Sequence, residues 1–335
     1  MAMRAPDFWD EEPGLIAGLL TPVGAAVDAA GRLRRAVARP YRAPVPVICV
    51  GNLVAGGSGK TPVTLALAAM LVGRGIAAAI VMRGYGGRLP GPMRVDPQAH
   101  DAAAVGDEAL LAAARAPCWV ARDRAAGVRA AIEGGAAAIL LDDGFQNPHV
   151  AKDLSLLVVD AAYGFGNCRL IPAGPLRERI ADGLARADAV VLIGDSEPEP
   201  DELAGCARPI LRATLDPIEG SRFAGAKVVA FAGIGRPEKF FASLRQVATT
   251  IVAERGFPDH HTYRAGELAA LREAAAKAGA RLITTRKDWV RLPPAERDDI
   301  AVLDVELCWR DESALDALLA PLIARIGDDR RAARP

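Results

Sequence analysis

Val45-Pro46-Val47-Ile48-Cys49-Val50 is a short apolar run, and Gly51-Asn52-Leu53-Val54-Ala55-Gly56-Gly57-Ser58-Gly59-Lys60-Thr61 follows it directly. A buried strand, a glycine-rich turn and the start of a helix are the context that a phosphate-binding loop requires. Glycine lets backbone N–H groups curl around phosphate oxygens. The N-terminus of the following helix favours negative charge. Gly56, Gly57, Ser58, Gly59, Lys60 and Thr61 therefore read as a cradle for a nucleoside triphosphate. Lys60 would reach the β- and γ-phosphates, and the Thr61 hydroxyl would ligate Mg2+. One position departs from the usual GxxxxGK[ST] pattern, since Val54 stands where the first glycine falls. The bland alternative is a glycine-rich turn before an ordinary helix.

A second element fits the first. Ala136-Ala137-Ala138-Ile139-Leu140-Leu141 is an apolar strand that ends in Asp142-Asp143-Gly144. Carboxylates at the carboxyl end of a parallel strand sit beside the phosphate loop and can hold Mg2+ directly or through water. Asp-Asp-Gly is also a common turn; beside the loop, Asp142 and Asp143 become candidate metal carboxylates.

Outward from these two strands, short apolar runs alternate with helical stretches. Ala77–Met82, Leu154–Val159 and Ala189–Ile193 read as further buried strands. Thr61–Arg74, Ala102–Ala116, Asp123–Glu133 and Leu176–Ala187 read as helices. This rhythm predicts an α/β fold of the P-loop NTPase type, a mainly parallel sheet flanked by helices. After the Pro- and acid-rich stretch Gly194 to Glu202 the pattern resumes. Strands are expected at Val228–Ala232, Thr250–Ala253, Leu282–Thr285 and Ala301–Val305. Helices are expected at Glu238–Val247, Ala265–Ala278 and Ser313–Ile326, the last bent or broken at Pro321. With 335 residues and about 150 residues per domain, the expectation is an N-terminal segment 1–43, a nucleotide-binding domain 44–215 and a smaller α/β domain 226–328. The charged tail Asp328–Pro335 is expected to fray.

Composition excludes several function classes. The chain is 51% hydrophobic and 24% charged, which rules out global disorder. Lys+Arg and Asp+Glu both count 41, so no basic excess supports bulk nucleic-acid binding. A neutral total does not forbid a local basic patch. Cys49, Cys118, Cys168, Cys206 and Cys308 have no CxxC spacing, so neither a zinc site nor a disulfide framework is expected. No run of about 18 apolar residues predicts a membrane span; the closest, Leu15 to Val27, closes at Asp28. No basic cluster precedes it, as a signal peptide would need. Phe8, Trp9, Leu15, Ile16, Leu19 and Leu20 could lie among lipid headgroups, with Arg32, Arg34, Arg35, Arg39 and Arg42 meeting anionic lipid. The alternative is a core-packing helix with a solvated basic end.

Phosphoryl chemistry needs a group that orients or deprotonates the acceptor. Asp107 and Glu108 open a helix, a position where acids usually cap. Asp259-His260-His261 lies in a loop of the second domain, and Arg83-Gly84-Tyr85 follows the second strand. Gly51-Asn52-Leu53, Gly56 to Pro62, Arg83-Gly84-Tyr85, Val105-Gly106-Asp107-Glu108, Leu141-Asp142-Asp143-Gly144-Phe145-Gln146, Leu170-Ile171-Pro172-Ala173-Gly174-Pro175-Leu176-Arg177-Glu178 and Asp259-His260 occur together, in this order. In that combination the chain resembles the tetraacyldisaccharide 4′-kinase family of lipid A biosynthesis, over nearly its whole length. The phosphate loop alone is unspecific; the Asp-Asp-Gly-Phe-Gln and Pro-Ala-Gly-Pro-Leu-Arg-Glu segments together are far more specific.

The resemblance implies a kinase that uses ATP and Mg2+ and moves the γ-phosphoryl to the 4′-hydroxyl of a tetraacylated glucosamine disaccharide 1-phosphate. It implies Asp107 as general base, assisted by His260 in preference to His261. It adds Arg83, Tyr85, Arg124, Arg177 and Glu178 as further active-site candidates. It also strengthens the interfacial reading of the N-terminal segment and implies a peripheral, monotopic enzyme on the cytoplasmic face of the bacterial inner membrane, with no nucleic acid and no obligate protein partner. Two other readings stand beside it. A nucleotide-switch ATPase or GTPase would need a metal cluster or a guanine signature, and Thr285-Arg286-Lys287-Asp288 only loosely echoes Asn-Lys-x-Asp. A soluble small-molecule kinase or ligase would bury the N-terminal helix in its core.

Overall fold

A computed structural model of the chain describes residues 6–196, 199–247 and 249–332. In chain order the elements are α1 Leu15–Val37, β1 Val47–Gly51, α2 Lys60–Gly73, β2 Ala78–Met82, β3 Met93–Arg94, α3 Ala102–Val105, α4 Asp107–Ala113, β4 Cys118–Val120, α5 Arg124–Glu133, β5 Ala138–Asp142, β6 Leu154–Asp160, α6 Ile180–Arg186, β7 Ala189–Ile193 and β8 Ile210–Pro217. Then come β9 Lys227–Ala232, α7 Pro237–Gln246, β10 Thr250–Gly256, α8 Ala265–Ala278, β11 Arg281–Thr285, α9 Arg286–Arg291, β12 Ile300–Leu303, β13 Val305–Trp309 and α10 Glu312–Ala332.

The large sheet has the order β13-β8-β7-β6-β1-β5-β2-β4-β3. Its interior strands run parallel, and β3 and β13 close the two edges antiparallel. β1, β2, β5, β6 and β7 are buried along their entire length. That is why they read as unbroken apolar runs rather than as alternations. Helices cover both faces. Val63, Leu67 and Leu71 of α2 and Leu315 and Leu319 of α10 pack on one face; Val128 of α5 and Phe145 pack on the other. The small sheet, β10-β9-β11-β12, is wholly parallel. Phe240, Phe241 and Leu244 of α7 cover one side of it, and Leu268 and Leu271 of α8 the other.

Chain register fixes the site. β1 and β5 are neighbours with Val50 opposite Asp142, so the Asp142 carboxyl emerges beside the loop that starts at Gly51. A Cβ on Gly51 would stand 2.4 Å from Phe145 Cβ and 3.1 Å from its backbone N. Neither neighbour is the free end of a side chain. Gly51→Ala should cost about 1–3 kcal/mol, the usual penalty of overpacking, read as a lower midpoint in urea unfolding.

Several expectations are revised. The helix expected over Ala102–Ala116 is two helices, because Gly106 at φ +91° breaks the path. The break makes Asp107 a first-turn residue. Leu176–Ala187 is helical only from Ile180; Pro172 to Arg179 is turn and bend, with Leu176 bridged to Val54 and Leu170. Ala301–Val305 is not one strand. Asp304 separates β12, in the small sheet, from β13, in the large one. The interval 226–328 is therefore not a single body. β13 pairs with β8, and α10 packs on the large sheet. Likewise β8 carries the first unit to Pro217, past residue 215. α10 runs unbroken through Pro321 to Ala332, while residues 333–335 of the tail lie outside the described residues.

The N-terminal segment also differs. α1 continues through Pro22 and past Asp28 to Val37. It is thereby a helix with the length and hydropathy to cross a membrane, near the N-terminus and only 17% buried in its most apolar window. A helix that ended at Val27 would be too short to span. Its small face packs on the protein: Ala17, Gly24 and Asp28 are buried, and Asp28 pairs with Arg32 at 3.3 Å and Arg179 at 3.1 Å. Leu15, Ile16, Leu19, Val23 and Val27 are exposed on the helix. Phe8 and Trp9 do not join that row. The Trp9 indole N–H donates to the Pro172 carbonyl at 3.1 Å, and Asn167 donates to the Phe8 carbonyl.

Candidate active site

The phosphate loop is held from below. Buried Asn52 donates to the Val54 carbonyl at 2.8 Å and to Ser58 Oγ at 2.7 Å, which pins both ends of the turn. Gly59 adopts φ +85° at the entrance to α2, a left-handed backbone that glycine takes without strain. Gly56 and Gly57 are exposed, so their main chain faces the cleft. The small lobe leans on the loop: a Cβ on Gly235 would come within 3.3 Å of Gly57 N.

The two carboxylates behind the loop behave differently. Asp142 is 2% exposed and accepts from Thr61 Oγ1 at 3.0 Å and Thr64 Oγ1 at 3.2 Å. Burial pushes its carboxyl up to about 7, helped by the charge on Glu108 and opposed by Lys60. Asp143 pairs with Lys60 Nζ at 3.7 Å and with Arg177 at 2.8 Å. Burial works against its charge, but Lys60 and Arg177 outweigh that and hold it below the usual carboxylate range. Asp142 is thus a carboxylate short of positive charge, next to a threonine hydroxyl. That donor pair suits Mg2+, which takes one or two carboxylates and completes its shell with phosphate oxygens and water. Among the described residues no group of three or more His, Cys, Asp and Glu forms a self-sufficient metal cage.

Glu178 and Gln146 form the floor on the α1 side. Glu178 is 1% exposed; it accepts from Gln146 Nε2 at 3.0 Å and pairs with Arg35 at 3.3 Å and with Arg186. Gln146 also donates to the Asn52 carbonyl at 2.8 Å. An arginine of the N-terminal helix therefore reaches into the same network as the phosphate loop. Arg124 is buried and donates to the Ala121 carbonyl at 2.6 Å. Arg83 is exposed.

The second lobe brings its own group. His260 Nδ1 lies 3.2 Å from Asp107 Oδ2, and the Tyr85 ring packs on His260 with centroids 5.1 Å apart. His261 points elsewhere: it contacts Glu267 at 2.9 Å and stacks on Phe257. Asp107 at the start of α4, Tyr85 in the turn after β2 and His260 in the turn after β10 thus meet, although β2 and β10 belong to two sheets.

Sequence reading missed the residues that hold this meeting in place. Arg291 Nε donates to Asp107 Oδ2 at 2.5 Å, and its Nη1 donates to the Gly233 carbonyl at 2.5 Å and to Asp288 at 3.0 Å. One turn earlier on α9, Lys287 pairs with Glu108 at 3.0 Å. The stretch that loosely echoed a guanine signature opens a clasp: its Lys287, with Arg291 one turn on, grips the consecutive acids that open α4. Spacing i, i+4 on a short helix is the one local signal that could have paired them. Burial opposes the Asp107 charge, but His260, Lys287 and Arg291 together hold it well below the usual carboxylate range.

A sign follows. A depressed carboxyl stays ionised until the pH falls through its lowered value. Arg291→Met should raise the Asp107 pKa toward the ordinary range. The acid limb of kcat/KM against pH should then move to higher pH, with ATP affinity little changed. An unmoved limb would show that Arg291 does not set the Asp107 charge.

Comparison with known proteins agrees with this architecture. The family model for tetraacyldisaccharide-1-P 4′-kinase matches residues 16–324. Tetraacyldisaccharide 4′-kinase of Rhodospirillum centenum is 54% identical over 98% of this chain and 100% of its own length. That of Paramagnetospirillum magneticum is 53% identical over 97% and 99%. A crystal structure of LpxK from Aquifex aeolicus, an "apo" form in complex with ATP, superposes with a TM-score of 0.74 at 25% identity, covering 92% of this chain and 99% of that one. A family match across nearly the full length, on a fold that brings the sequence motifs to one cleft, has one meaning: the chain belongs to the tetraacyldisaccharide-1-P 4′-kinase family.

Proposed function

We propose that this chain transfers the γ-phosphoryl of ATP to the 4′-hydroxyl of a tetraacyldisaccharide 1-phosphate in bacterial lipid A biosynthesis. The observation that carries the reading is the meeting of Asp107 from α4 and His260 from the small lobe, at a cleft where that lobe also touches the phosphate loop. An alcohol acceptor must give up its proton as the phosphoryl group is transferred, and this pair supplies a group to take it.

The residues divide the work. The main chain of Gly56 to Gly59 grips the phosphates, and Lys60 balances charge on the transferred group. Thr61 and Asp142 would hold Mg2+, which would offset the charge of the phosphates. Asp143 keeps Lys60 and Arg177 pointed at the phosphates. Asp107 takes the proton of the 4′-hydroxyl with His260 beside it, and Tyr85 offers a ring face to the sugar. Arg124 and Arg83 add positive charge near Asp143, and Glu178 fixes Gln146 behind the loop.

The lipid arrives along α1. That helix packs its small face on the protein, with buried Asp28 tied to Arg179, which suits a helix lying in the membrane surface rather than crossing it. The acyl chains then stay in the bilayer while the sugar enters the cleft on the cytoplasmic side, where ATP is found. Leu19→Glu with Val23→Glu should strongly reduce flotation with anionic vesicles, because both side chains are exposed and each loses apolar contact with lipid. Undiminished flotation would remove α1 from the membrane.

The direct test offers purified protein γ-labelled ATP with and without the tetraacyl disaccharide 1-phosphate in detergent. Label should appear in lipid only when the acceptor is present. Release as inorganic phosphate, independent of lipid, would favour a nucleotide switch.

A further inference from the structure

The small lobe is tied to the large sheet at a second place, away from Asp107. Asp160 ends β6, the strand that flanks β1 on the side opposite β5. It is 2% exposed. Arg236 Nη1 donates to Asp160 Oδ2 at 3.0 Å, and Lys239 Nζ donates to the same oxygen. Both cations belong to the small lobe: Arg236 stands at the N-cap of α7, and Lys239 lies in its first turn. From the large lobe, the Ala162 N–H donates to the other carboxylate oxygen at 3.1 Å. Arg236 also lies over the Tyr163 ring, 3.6 Å from its centroid. A buried charge of the nucleotide half is thus neutralised by side chains of the other half.

Such a group differs from a surface ion pair. Exposed pairs contribute little, whereas taking the partners from a buried carboxylate is strongly unfavourable. The small lobe therefore has a favoured seat at the end of β6. The helix that carries the cations is firmly held, since Phe240 and Phe241, which follow Lys239, are buried in the small lobe's core.

The chain between β9 and α7 runs from that seat to the catalytic pair. Gly235, next to Arg236, faces the phosphate loop, where its Cβ would come within 3.3 Å of Gly57 N. Two residues earlier, the Gly233 carbonyl accepts from His260 N at 3.2 Å and from Arg291 Nη1 at 2.5 Å. Gly233 N donates to Asp288 Oδ1 at 3.0 Å. Residues 233–239 are thus anchored on Asp160 at one end and on His260 and Arg291 at the other, with the phosphate loop against their middle. We propose that Asp160 is a positioning residue of the transfer: through Arg236 and Lys239 it seats this segment across the phosphate loop and so holds His260 at Asp107. Its role is to place another group, not to take the proton. This rests on the kinase reading above.

The test measures transfer of label to lipid by the wild type, Lys239→Met, Asp160→Asn and the two combined. The Lys239 side chain is 42% exposed, so that variant should fold, and matching thermal melts check it. Each single substitution should lower kcat by about tenfold, as loss of a charge-assisted hydrogen bond does. KM for ATP should change little, because Asn52 holds the phosphate loop from within its own lobe. The combined variant should lose no more than either alone, since both remove one interaction. Hydrogen exchange gives a readout independent of turnover. The His260 amide should exchange faster in both single variants, while the amides of β9 keep their wild-type protection. A merely structural loss would loosen both. Unchanged kcat, unchanged exchange at His260, losses that add in the combined variant, or exchange that rises alike in β9 would each overturn the proposal. If Asp160→Asn does not fold, Lys239→Met decides through kcat and exchange alone. A wild type that labels no lipid would instead sink the kinase reading, and exchange at His260 would still report whether Asp160 seats it.

Discussion

Lys60→Met should lower kcat by about 10²–10³-fold, the usual loss when a preorganised donor to developing charge is removed. The ammonium is the one cation that the phosphate loop itself supplies, and its partner Asp143 lies 3.7 Å away. Removing it does not strand Asp143, because Arg177 stays 2.8 Å from the same oxygen. The fold should therefore survive, and the effect should fall on turnover. Lys60→Arg should restore little, since a planar fork on a longer stem cannot take the place of a compact point charge. The measurement is steady-state transfer of label from ATP to lipid at saturating acceptor. A variant within about threefold of wild type would take Lys60 out of the charge-balancing role.

Asp107→Asn should lower kcat by about 10²–10⁴-fold, the range for a positioned proton acceptor, with little change in ATP affinity. Asparagine keeps the shape and can still accept from Arg291, and Arg291 retains Asp288 and the Gly233 carbonyl. The clasp between lobes should hold, which separates a chemical loss from a structural one. Comparable turnover in this variant would move the base role to His260. His260→Ala, by contrast, leaves Asp107 gripped by Arg291 and should lose less.

The two deciding elements of the fold were legible because their signals are local. Val47 to Thr61 holds strand, turn and helix start within one short stretch, and Asp142 follows from the end of a neighbouring apolar run. The parallel sheet followed as well, since strands buried on both faces must be apolar throughout. Long-range pairing carried no such mark. Val305 to Trp309 reads like a continuation of β12, yet it crosses to another sheet to meet β8. Residues 93–94 and 118–120 make strands too short to register as periods.

The same division holds in the site. Asp107 and His260 could be singled out by motif, but Arg291 could not, because nothing in Trp289-Val290-Arg291 points to an acid near residue 107. Asp160, Arg236 and Lys239 converge only in three dimensions; along a chain of balanced charge they are one acid and two bases among many.

The return of the chain at β13 has a mechanical consequence. Val305 pairs with Pro217, and Ile218 N donates to the Asp304 carbonyl at 2.8 Å, so the small lobe leaves and rejoins the large sheet through two adjacent strands. It is a loop-out carried on a double stem. Such a stem anchors both ends of the lobe at one side of the large sheet, and His260 meets Asp107 at 3.2 Å. The same geometry leaves every strand of the large sheet outside residues 219–303: the lobe is inserted between two of its paired strands.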